Sequence, residues 1–421
     1  MEEFRFIKNT LHCEKAVLEE VARKFGTPSY VYSKNSLVDH CRHIEKSLSG
    51  IDHISCYAIK ANGNRQLLHL LAQEGIGADA GSIGELQLAL EAGFPPEKIT
   101  FTGVGKSDDE IEFALRQNIH SFNVESEEEL TVISEIASRI GSTARILLRV
   151  NFDIKTETHR YTSTGHKHSK FGIERARTLE IAQRAKKIPG INLIGIHSHI
   201  GSQITNAETF QKAAQEVVNL IGELRSGGIE IQDVNFGGGF GVQYHDFVSH
   251  PSLPNDGTHA DVGVSTVKLL ESILPILKTM NARILLQPGR SIVAHAGILL
   301  TKVLYTKHTG DKKFVIVDAG MNDLIRPSLY QSYHQIVPLT LKESGHEVVD
   351  IVGPLCETGD FFALDRNLPV VKRGEYLAIL CAGAYGYVLS SNYNGRQRPA
   401  ELLVDGEECS IIKNRESIQQ L

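Results

Sequence analysis

The stretch "IGADAGSIGELQLALEAGFPPEKITFTG", residues 76–103, contains a short apolar run, an amphipathic segment and a second short apolar run. Apolar residues in the central segment recur at spacings of three and four, which is typical of an α-helix with one buried face. Ser82 directly precedes this segment, as an N-cap residue does, and Gly93 directly follows it, as a glycine at the C-terminal end of a helix does. The stretch therefore predicts a strand, a helix and a second strand.

The same alternation continues along the chain. Strand-like runs occur at residues 54–60, 76–80, 98–103, 121–126, 144–151, 193–201, 234–240 and 283–290. Helical patterns separate them, among them residues 82–93, 107–118, 126–141 and 207–228. Eight such units predict an α/β fold of the (β/α)8 TIM-barrel type. An open, doubly wound sheet is the competing interpretation, and periodicity alone does not exclude it.

After residue 290 the pattern changes to β-rich runs without helices of comparable length. These runs are residues 297–309, 313–320, 346–353, 375–390 and 400–414. They predict a C-terminal β-rich domain, resembling a sandwich or barrel, that also takes in the N-terminal strand at 29–34. We expect the barrel to span 36–290 and the β-domain to consist of 1–35 and 291–421. Two long segments, 160–170 and 242–263, are predicted to be functional or mobile loops.

Composition narrows the class of protein. The chain has 421 residues, 41% of them hydrophobic and 22% charged, which suits a sizeable globular protein. No apolar run approaches the roughly 20 residues of a membrane span, so no membrane partner is expected. A net charge of −6 without a basic cluster gives no reason to expect a nucleic-acid partner. The acidic start "MEEFRFIKNT" lacks the features of a secretory signal, and six scattered cysteines without C-x-x-C spacing should be reduced; we expect a cytoplasmic protein.

Active sites of such barrels lie at the C-terminal ends of the strands. The residues at these positions are Lys60, Asp79, Asn123, Arg149, His199, Gly237 to Gly239 and Arg290. For Lys60, at the end of "SCYAIKAN" (55–62), a snorkelling or ion-paired lysine is the simplest interpretation. The glycine-rich turn "FGGGFG" (236–241) follows the seventh strand, where barrels commonly bind phosphate. Together, an amine and a phosphate site favour pyridoxal phosphate.

His197 and His199 form an H-x-H pair that could bind a metal. Few other histidines or carboxylates occur at the strand ends, and metal barrels need them. We therefore expect no metal and a packing or stacking role for the histidines.

Ordered motifs across residues 28–410 carry a family resemblance. They are "YAIKAN" (57–62), "GADAGSIGEL" (77–86), "HSHIGSQ" (197–203), "NFGGGFG" (235–241), "QPGRSIV" (287–293), "DAGMNDLIRPSLY" (318–330), "GPLCETGDFFALDRNLP" (353–369) and "GAYGYVLSSNYNGRQRPAELLVDG" (383–406). Together they resemble the diaminopimelate decarboxylase family, part of the alanine-racemase-like, fold-type III group of pyridoxal-phosphate enzymes. The resemblance implies decarboxylation of meso-2,6-diaminopimelate to L-lysine and CO2, the last step of lysine biosynthesis. It also implies a homodimer that shares active sites across its interface.

The resemblance assigns roles by position. Lys60 would form the aldimine with pyridoxal 5'-phosphate and His199 would stack on its ring, while Tyr385 would lie near the cofactor. The phosphate would be held by Ser202, the turn that includes Gly238 and Gly239, and the backbone of Pro288, Gly289 and Arg290. Supporting positions around the cofactor match Asp79, Glu85, Arg149 and Lys170. The substrate's distal carboxylate would be bound by Arg290, Arg326 and Tyr330, and its distal ammonium by Glu357. Cys356, from the partner subunit, would be the general acid.

Position 287 departs from the family. The family has E-P-G-R where this chain has Gln287-Pro-Gly-Arg, and that glutamate faces the ring nitrogen of the cofactor. An amide can share a hydrogen bond with the nitrogen but cannot supply the charge that keeps it protonated. Three accounts are open: a natural variant that works through the amide, an altered reaction preference, or a sequence changed from its parent.

Other functions remain open at this point. A decarboxylase acting on D-lysine or D-ornithine is one, although Arg326 and Tyr330 favour a substrate with a distal carboxylate. An amino-acid racemase would need a base where Cys356 stands. A weakly active or noncatalytic cofactor-binding protein is the third, and Gln287 is the feature that supports it.

Overall fold

The computed structural model describes residues 3–154, 169–254, 265–343 and 345–420. They fold as two compact units. We call them the barrel unit, which comprises Cys41–Val242 and Gly263–Ser291, and the β unit, which comprises Met1–His40, Gln243–Val262 and Ile292–Leu421. Most of the predicted loop 160–170 and the last part of the predicted loop 242–263 lie outside the described residues. The domain limits expected from the sequence stay a prediction.

The strands of the described residues follow in chain order. They are β1 (Phe4–Ile7), β2 (Thr10–Cys13), β3 (Ala16–Val17), β4 (Ser29–Ser33), β5 (His53–Ala58), β6 (Gly77–Ala80), β7 (Ile99–Thr102), β8 (Ser121–Val124), β9 (Ala144–Asn151), β10 (Ile173–Glu174), β11 (Ile191–Ser198), β12 (Asp233–Asn235), β13 (Arg283–Leu286), β14 (Gly297–Thr309), β15 (Lys312–Val317), β16 (Ile336–Pro338), β17 (His346–Val352), β18 (Phe361–Pro369), β19 (Tyr376–Ile379), β20 (Ala400–Asp405) and β21 (Glu408–Lys413).

The α-helices of the same residues are α1 (Leu18–Phe25), α2 (Lys34–Leu48), α3 (Arg65–Gln73), α4 (Ile83–Ala92), α5 (Asp108–Arg116), α6 (Glu127–Arg139), α7 (Thr178–Ala185), α8 (Ala207–Ser226), α9 (Thr266–Thr279), α10 (Arg290–Val293) and α11 (Arg326–Tyr330). Across the described ranges, no helix has both the length and the apolar character that crossing a membrane would require.

Eight parallel strands close into a barrel. Their order is β5-β6-β7-β8-β9-β11-β12-β13, and β13 pairs with β5 to complete the ring. The two-residue β10 also pairs with β9, in parallel, and is not one of the eight barrel strands. The barrel prediction is confirmed, and closure between β13 and β5 rules out the open sheet.

Local signals explain where the barrel helices begin and end. The Ser82 hydroxyl accepts a hydrogen bond from the Glu85 N–H at the start of α4, and Gly93 ends that helix in the left-handed conformation. Ser107 and Glu110 form a capping box on α5. These contacts satisfy backbone groups that a helix end leaves without partners, so each helix starts and stops close to its predicted position.

The β unit is built on a seven-strand path, β18-β17-β15-β14-β4-β20-β21. Outside this path, β19 pairs with β14, and β16 pairs with β19. The N-terminal strand β4 pairs antiparallel with β14 and parallel with β20. The prediction that the run at 29–34 joins the C-terminal β-rich region is therefore confirmed. Strands β1 to β3 form a separate small antiparallel sheet that the sequence did not predict.

The predicted run at 375–390 is only partly a strand. Strand β19 ends at Ile379, and the backbone then turns through the left-handed region at Cys381 (φ 55°) and Tyr385 (φ 55°). Apolar composition suggested a long strand here, but two left-handed residues cannot continue a ladder.

Candidate active site

A cavity of about 370 Å³ opens among the C-terminal ends of the barrel strands. Residues that line it include Lys60, Asp79, Arg149, His197, His199 and Gln287. Lys60 follows β5 and Gln287 follows β13, so the closing pair of strands brings together residues 227 positions apart (287 − 60). The structure thus places Lys60 with Asp79, Arg149 and His199, as strand-end reasoning predicted.

Asp79 is the acceptor at the centre of a buried network. Its Oδ1 accepts hydrogen bonds from the hydroxyls of Thr100 (2.8 Å) and Thr102 and from Gln287 Nε2 (2.8 Å). Burial raises the pKa of Asp79, while the charge on Lys60 and the threonine hydroxyls oppose that rise. A carboxylate this buried needs those donors to remain ionised.

Gln287 is oriented by the same network. Its Nε2 also lies 3.1 Å from Thr102 Oγ1, so the amide nitrogen points toward Asp79 and the hydroxyls. An ionised glutamate in this position would have no proton to donate. It would place two buried carboxylates in hydrogen-bond contact, and like charges at that separation favour protonation of one of them.

Both histidines are neutral; His197 is buried and His199 is half-buried. Burial lowers the pKa of His197 and of His199 well below the usual range, and the positive charges of Arg149 and Lys60 lower both further. The Gly238 N–H donates to Nδ1 of His199 (3.3 Å), which orients that ring. Neither ring nitrogen of His197 meets a partner with hydrogen-bond geometry among the described residues, although Gln287 lies close enough to raise the pKa of His197 slightly.

The described residues around these histidines do not form a metal site. No group of three or more histidine, cysteine, aspartate or glutamate side chains is arranged to hold a metal within the described ranges. From the sequence, His197 was considered as a metal ligand or as a packing or stacking residue. Its position in the cavity wall could have been inferred because residues two apart on a strand share one face.

Residues expected to bind phosphate come together beside the cavity. The turn 237–239 follows β12, and a Cβ on Gly238 or Gly239 would collide with the carbonyl oxygen of Gln287 or Gly201. Only glycine allows the backbone to lie this close to the neighbouring strand ends. Arg290 Nη2 donates to Ser202 Oγ (3.0 Å), so the loops after β11 and β13 meet as well.

Apart from Arg290, which belongs to the barrel unit, the residues expected to bind the substrate lie in the β unit. Arg326 is buried, its Nη1 donates to Nε2 of His334 (2.9 Å), and its guanidinium carbon lies 4.6 Å from the ring centre of Tyr244. Tyr330 ends helix α11. The sequence did not identify His334 or Tyr244, because each becomes relevant only through its contact with Arg326.

The loop with Cys356 also belongs to the β unit. Cys356 is exposed, and its N–H donates to Asn394 Oδ1 (3.0 Å). Glu357 lies next to it, with Oε2 3.5 Å from the Tyr393 hydroxyl. Tyr385 has a left-handed backbone, an uncommon conformation for a bulky residue that occurs at functional sites.

Comparison with known proteins agrees with this architecture. The family model described as "Pyridoxal-dependent decarboxylase, pyridoxal binding domain" matches residues 34–294. A diaminopimelate decarboxylase of Aquifex aeolicus is 46% identical over 407 residues, which cover 97% of this chain and 93% of that protein.

Solved structures give the same result. Diaminopimelate decarboxylase from Helicobacter pylori, complexed with L-lysine, has a TM-score of 0.89 at 40% identity, covering 96% of this chain and 98% of that one. The enzyme from M. jannaschii, in co-complex with L-lysine, has a TM-score of 0.91 at 36% identity, covering 99% and 96%. By these identities over nearly its full length, the chain belongs to the diaminopimelate decarboxylase family of pyridoxal-dependent decarboxylases.

Proposed function

We propose that this protein decarboxylates meso-2,6-diaminopimelate to L-lysine and CO2 with pyridoxal 5'-phosphate bound at Lys60, the last step of lysine biosynthesis. The observation that carries the proposal is the position of Lys60 beside the buried carboxylate of Asp79 in the barrel cavity. Relatives named for this reaction, with structures that contain L-lysine, support the choice of substrate.

The residues present fit pyridoxal phosphate. The glycine turn 237–239 leaves a backbone surface that side chains would fill, and Ser202 and Arg290 meet beside it. Backbone N–H groups, a hydroxyl and a guanidinium are groups that bind phosphate. We propose that Gly238, Gly239, Ser202 and the backbone from Pro288 through Gly289 hold the phosphate. Lys60 would hold the aldehyde carbon.

Bound there, pyridoxal phosphate supplies a carbonyl for the substrate amine and a conjugated ring that accepts the electron pair left when CO2 departs. His199 would pack on the ring as a neutral imidazole, held by the Gly238 N–H. Arg149 and Asp79 would fix the charge around it, and Gln287 would face the ring nitrogen through its amide. Lys60, released as a free amine, would remain available to hold or move a proton at Nζ.

The substrate would be recognised by the residues that the family resemblance assigned to substrate binding. We propose that Arg326, Arg290 and Tyr330 bind the distal carboxylate, because a guanidinium can bind both of its oxygens. His334 and Tyr244 hold Arg326 in one orientation before substrate arrives. Glu357 would bind the distal ammonium, and Tyr385 would lie near the cofactor.

We further propose that Cys356 donates the final proton from Sγ and that it acts in the active site of a partner subunit of a homodimer. An exposed cysteine supports this, since most free cysteines are buried. Exposed apolar side chains adjoin its loop: Tyr393 contacts Glu357, and Leu329 neighbours Ser328, whose hydroxyl donates to the Gly359 carbonyl. Exposed apolar side chains next to a proposed catalytic loop suit a subunit interface. A cytoplasmic location likewise stays a proposal, which fractionation of cells would test.

The test is CO2 release by the purified protein loaded with pyridoxal phosphate. Substrates would be meso-diaminopimelate, D-lysine, D-ornithine and L-ornithine, with L-lysine measured as product. We expect release from diaminopimelate alone. Release from a substrate without a distal carboxylate would contradict the role of Arg326, and racemisation without release would contradict decarboxylation.

Gln287→Glu is expected to raise kcat by about tenfold, which corresponds to ~1.4 kcal/mol. The carboxylate would favour the protonated ring nitrogen of the bound cofactor and so strengthen its electron-accepting character. The same change replaces the donor to Asp79 by an acceptor, so we expect a lower melting temperature for the cofactor-free variant.

The measurement is kcat with saturating cofactor, together with thermal unfolding with and without it. Gln203→Glu, in the same unit, is the control for an added charge, because the Gln203 side chain bonds to the backbone of Val242 rather than to Asp79. Unchanged or lower kcat in a folded, cofactor-loaded Gln287→Glu protein would contradict the prediction.

A further inference from the structure

Glu125 is a buried carboxylate just behind the cavity wall. It follows strand β8 and is 6% exposed. Its Oε1 accepts a hydrogen bond from Arg149 Nη1, and its Oε2 accepts one from the backbone N–H of Gly172 (2.9 Å). One carboxylate thus binds a cavity-lining cation and a separate loop.

That loop carries the aromatic partner of the same cation. The guanidinium carbon of Arg149 lies 4.6 Å from the ring centre of Phe171, and both side chains line the cavity with Lys60. Gly172 has a left-handed backbone (φ 76°), and a Cβ on it would lie 3.1 Å from the Arg149 carbonyl oxygen. Glu125 therefore fixes both sides of the cation–π contact.

Glu125 is itself held in place by a second buried ion pair. Its N–H donates to Glu129 Oε2 (2.6 Å), and Glu129 Oε1 lies 2.6 Å from Lys106 Nζ. Lys106 also donates to the carbonyls of Gly103 (2.7 Å) and Asn123 (2.8 Å). Together with the Glu125–Gly172 hydrogen bond, these contacts join the loops after three neighbouring strands, β7, β8 and β9. The carboxylate therefore has little freedom to move.

The charge on Arg149 changes the pKa values of other groups that line the cavity. Burial is the largest cause of the low pKa of both histidines; the charge on Arg149 comes next for His197, and after burial and Lys60 for His199. Burial raises the pKa of Asp79, and Arg149 lowers it less than Lys60 and the two threonine hydroxyls do. The charged or titratable groups that face this space are Lys60, Asp79, Glu85, Arg149, His197 and His199. Glu125 is the carboxylate in direct contact with Arg149.

We propose that Glu125 is a positioning residue, which holds Arg149 against Phe171 and balances its charge so that the cavity keeps the electrostatic potential that the Lys60–cofactor group requires. The inference rests on the proposed cofactor site at Lys60. It does not depend on which amino acid is the substrate.

The test is a pH titration of the visible absorption band of the pyridoxal-phosphate-loaded protein. In Glu125→Gln the charge of Arg149 is no longer balanced, and this positive charge disfavours the protonated form of the Lys60–cofactor group. We therefore expect the pH midpoint of the absorption titration to fall by about one unit. Glu125→Asp keeps the charge at shorter reach and should give a midpoint between the two.

Glu127→Gln is the matched control. Glu127 lies two residues away and pairs with Arg177 and Arg184 on the surface, so its removal should leave the midpoint unchanged. If the parent shows a normal absorption band and Glu125→Gln has the same titration midpoint as the parent, this proposal is overturned, even if the variant has a lower melting temperature. The proposed function would stand in that case. If Glu125→Gln does not fold, a Glu125→Asp midpoint equal to that of the parent would overturn it. A parent protein that takes up no pyridoxal phosphate would overturn the proposed function as well.

Discussion

Lys60→Ala is expected to abolish decarboxylation of meso-diaminopimelate, with kcat lower by about a thousandfold or more. Alanine has no amine to bond the cofactor, and no other lysine stands among the residues that line the cavity, within the part of the chain that the structure describes. The reaction would lose both its attachment point and the Nζ that can carry a proton.

The substitution has a second consequence that can be measured without substrate. Lys60 is the first of the groups that oppose the effect of burial on Asp79, so its removal should raise the pKa of Asp79 further. A carboxyl with a raised pKa in the folded state costs stability once the pH exceeds its pKa in the unfolded chain, which is about 4 for Asp79. We therefore expect the stability of the variant, relative to the parent, to be lower at pH 7 than at pH 4.

The measurements are CO2 release, the visible absorption spectrum after loading, and thermal unfolding at both pH values. Lys186→Ala is a suitable control because Lys186 lies in the same unit and its side chain donates to the backbone carbonyl of Gly228 at the surface. Normal CO2 release by Lys60→Ala would refute the proposed role of Lys60.

The sequence predicted the barrel because its strands are buried on both faces. Runs such as "ARILLRVN" at 144–151 are mostly apolar and mostly buried, and amphipathic helices with capping residues lie between the runs. Strand-like and helix-like patterns therefore alternate along the sequence as the strands and helices do in the barrel. The predicted family and cofactor are confirmed by the family model, which matches residues 34–294, and by the similar diaminopimelate decarboxylases.

The contacts behind the site could not be predicted in this way. Glu125 looks like any acidic residue that precedes a helix, and its pairing with Arg149 depends on the register of β8 against β9. The orientation of Gln287 depends on hydroxyls from a strand about 185 positions earlier. Such contacts arise from closure of the barrel, which no local pattern specifies.

Cys356→Ala is expected to lower kcat by about a hundredfold or more, because a positioned general acid typically contributes that much. The backbone contact from Cys356 N–H to Asn394 does not need the thiol, so the loop should keep its conformation. Cys409→Ala, at a half-buried position on β21, is the control for loss of a thiol and should retain normal kcat.

A mixture of the two inactive variants distinguishes where Cys356 acts. If the thiol serves the partner's site, a heterodimer of Lys60→Ala and Cys356→Ala subunits contains one site with both groups intact. Random exchange makes half of the dimers mixed, each with one working site of two, so the mixture should recover about a quarter of the parent activity. If Cys356 serves the site of its own chain, neither site of the heterodimer is complete and the mixture stays inactive. Recovery would therefore establish both the homodimer and the shared site, and a mixture that exchanges subunits without recovering would refute the shared site.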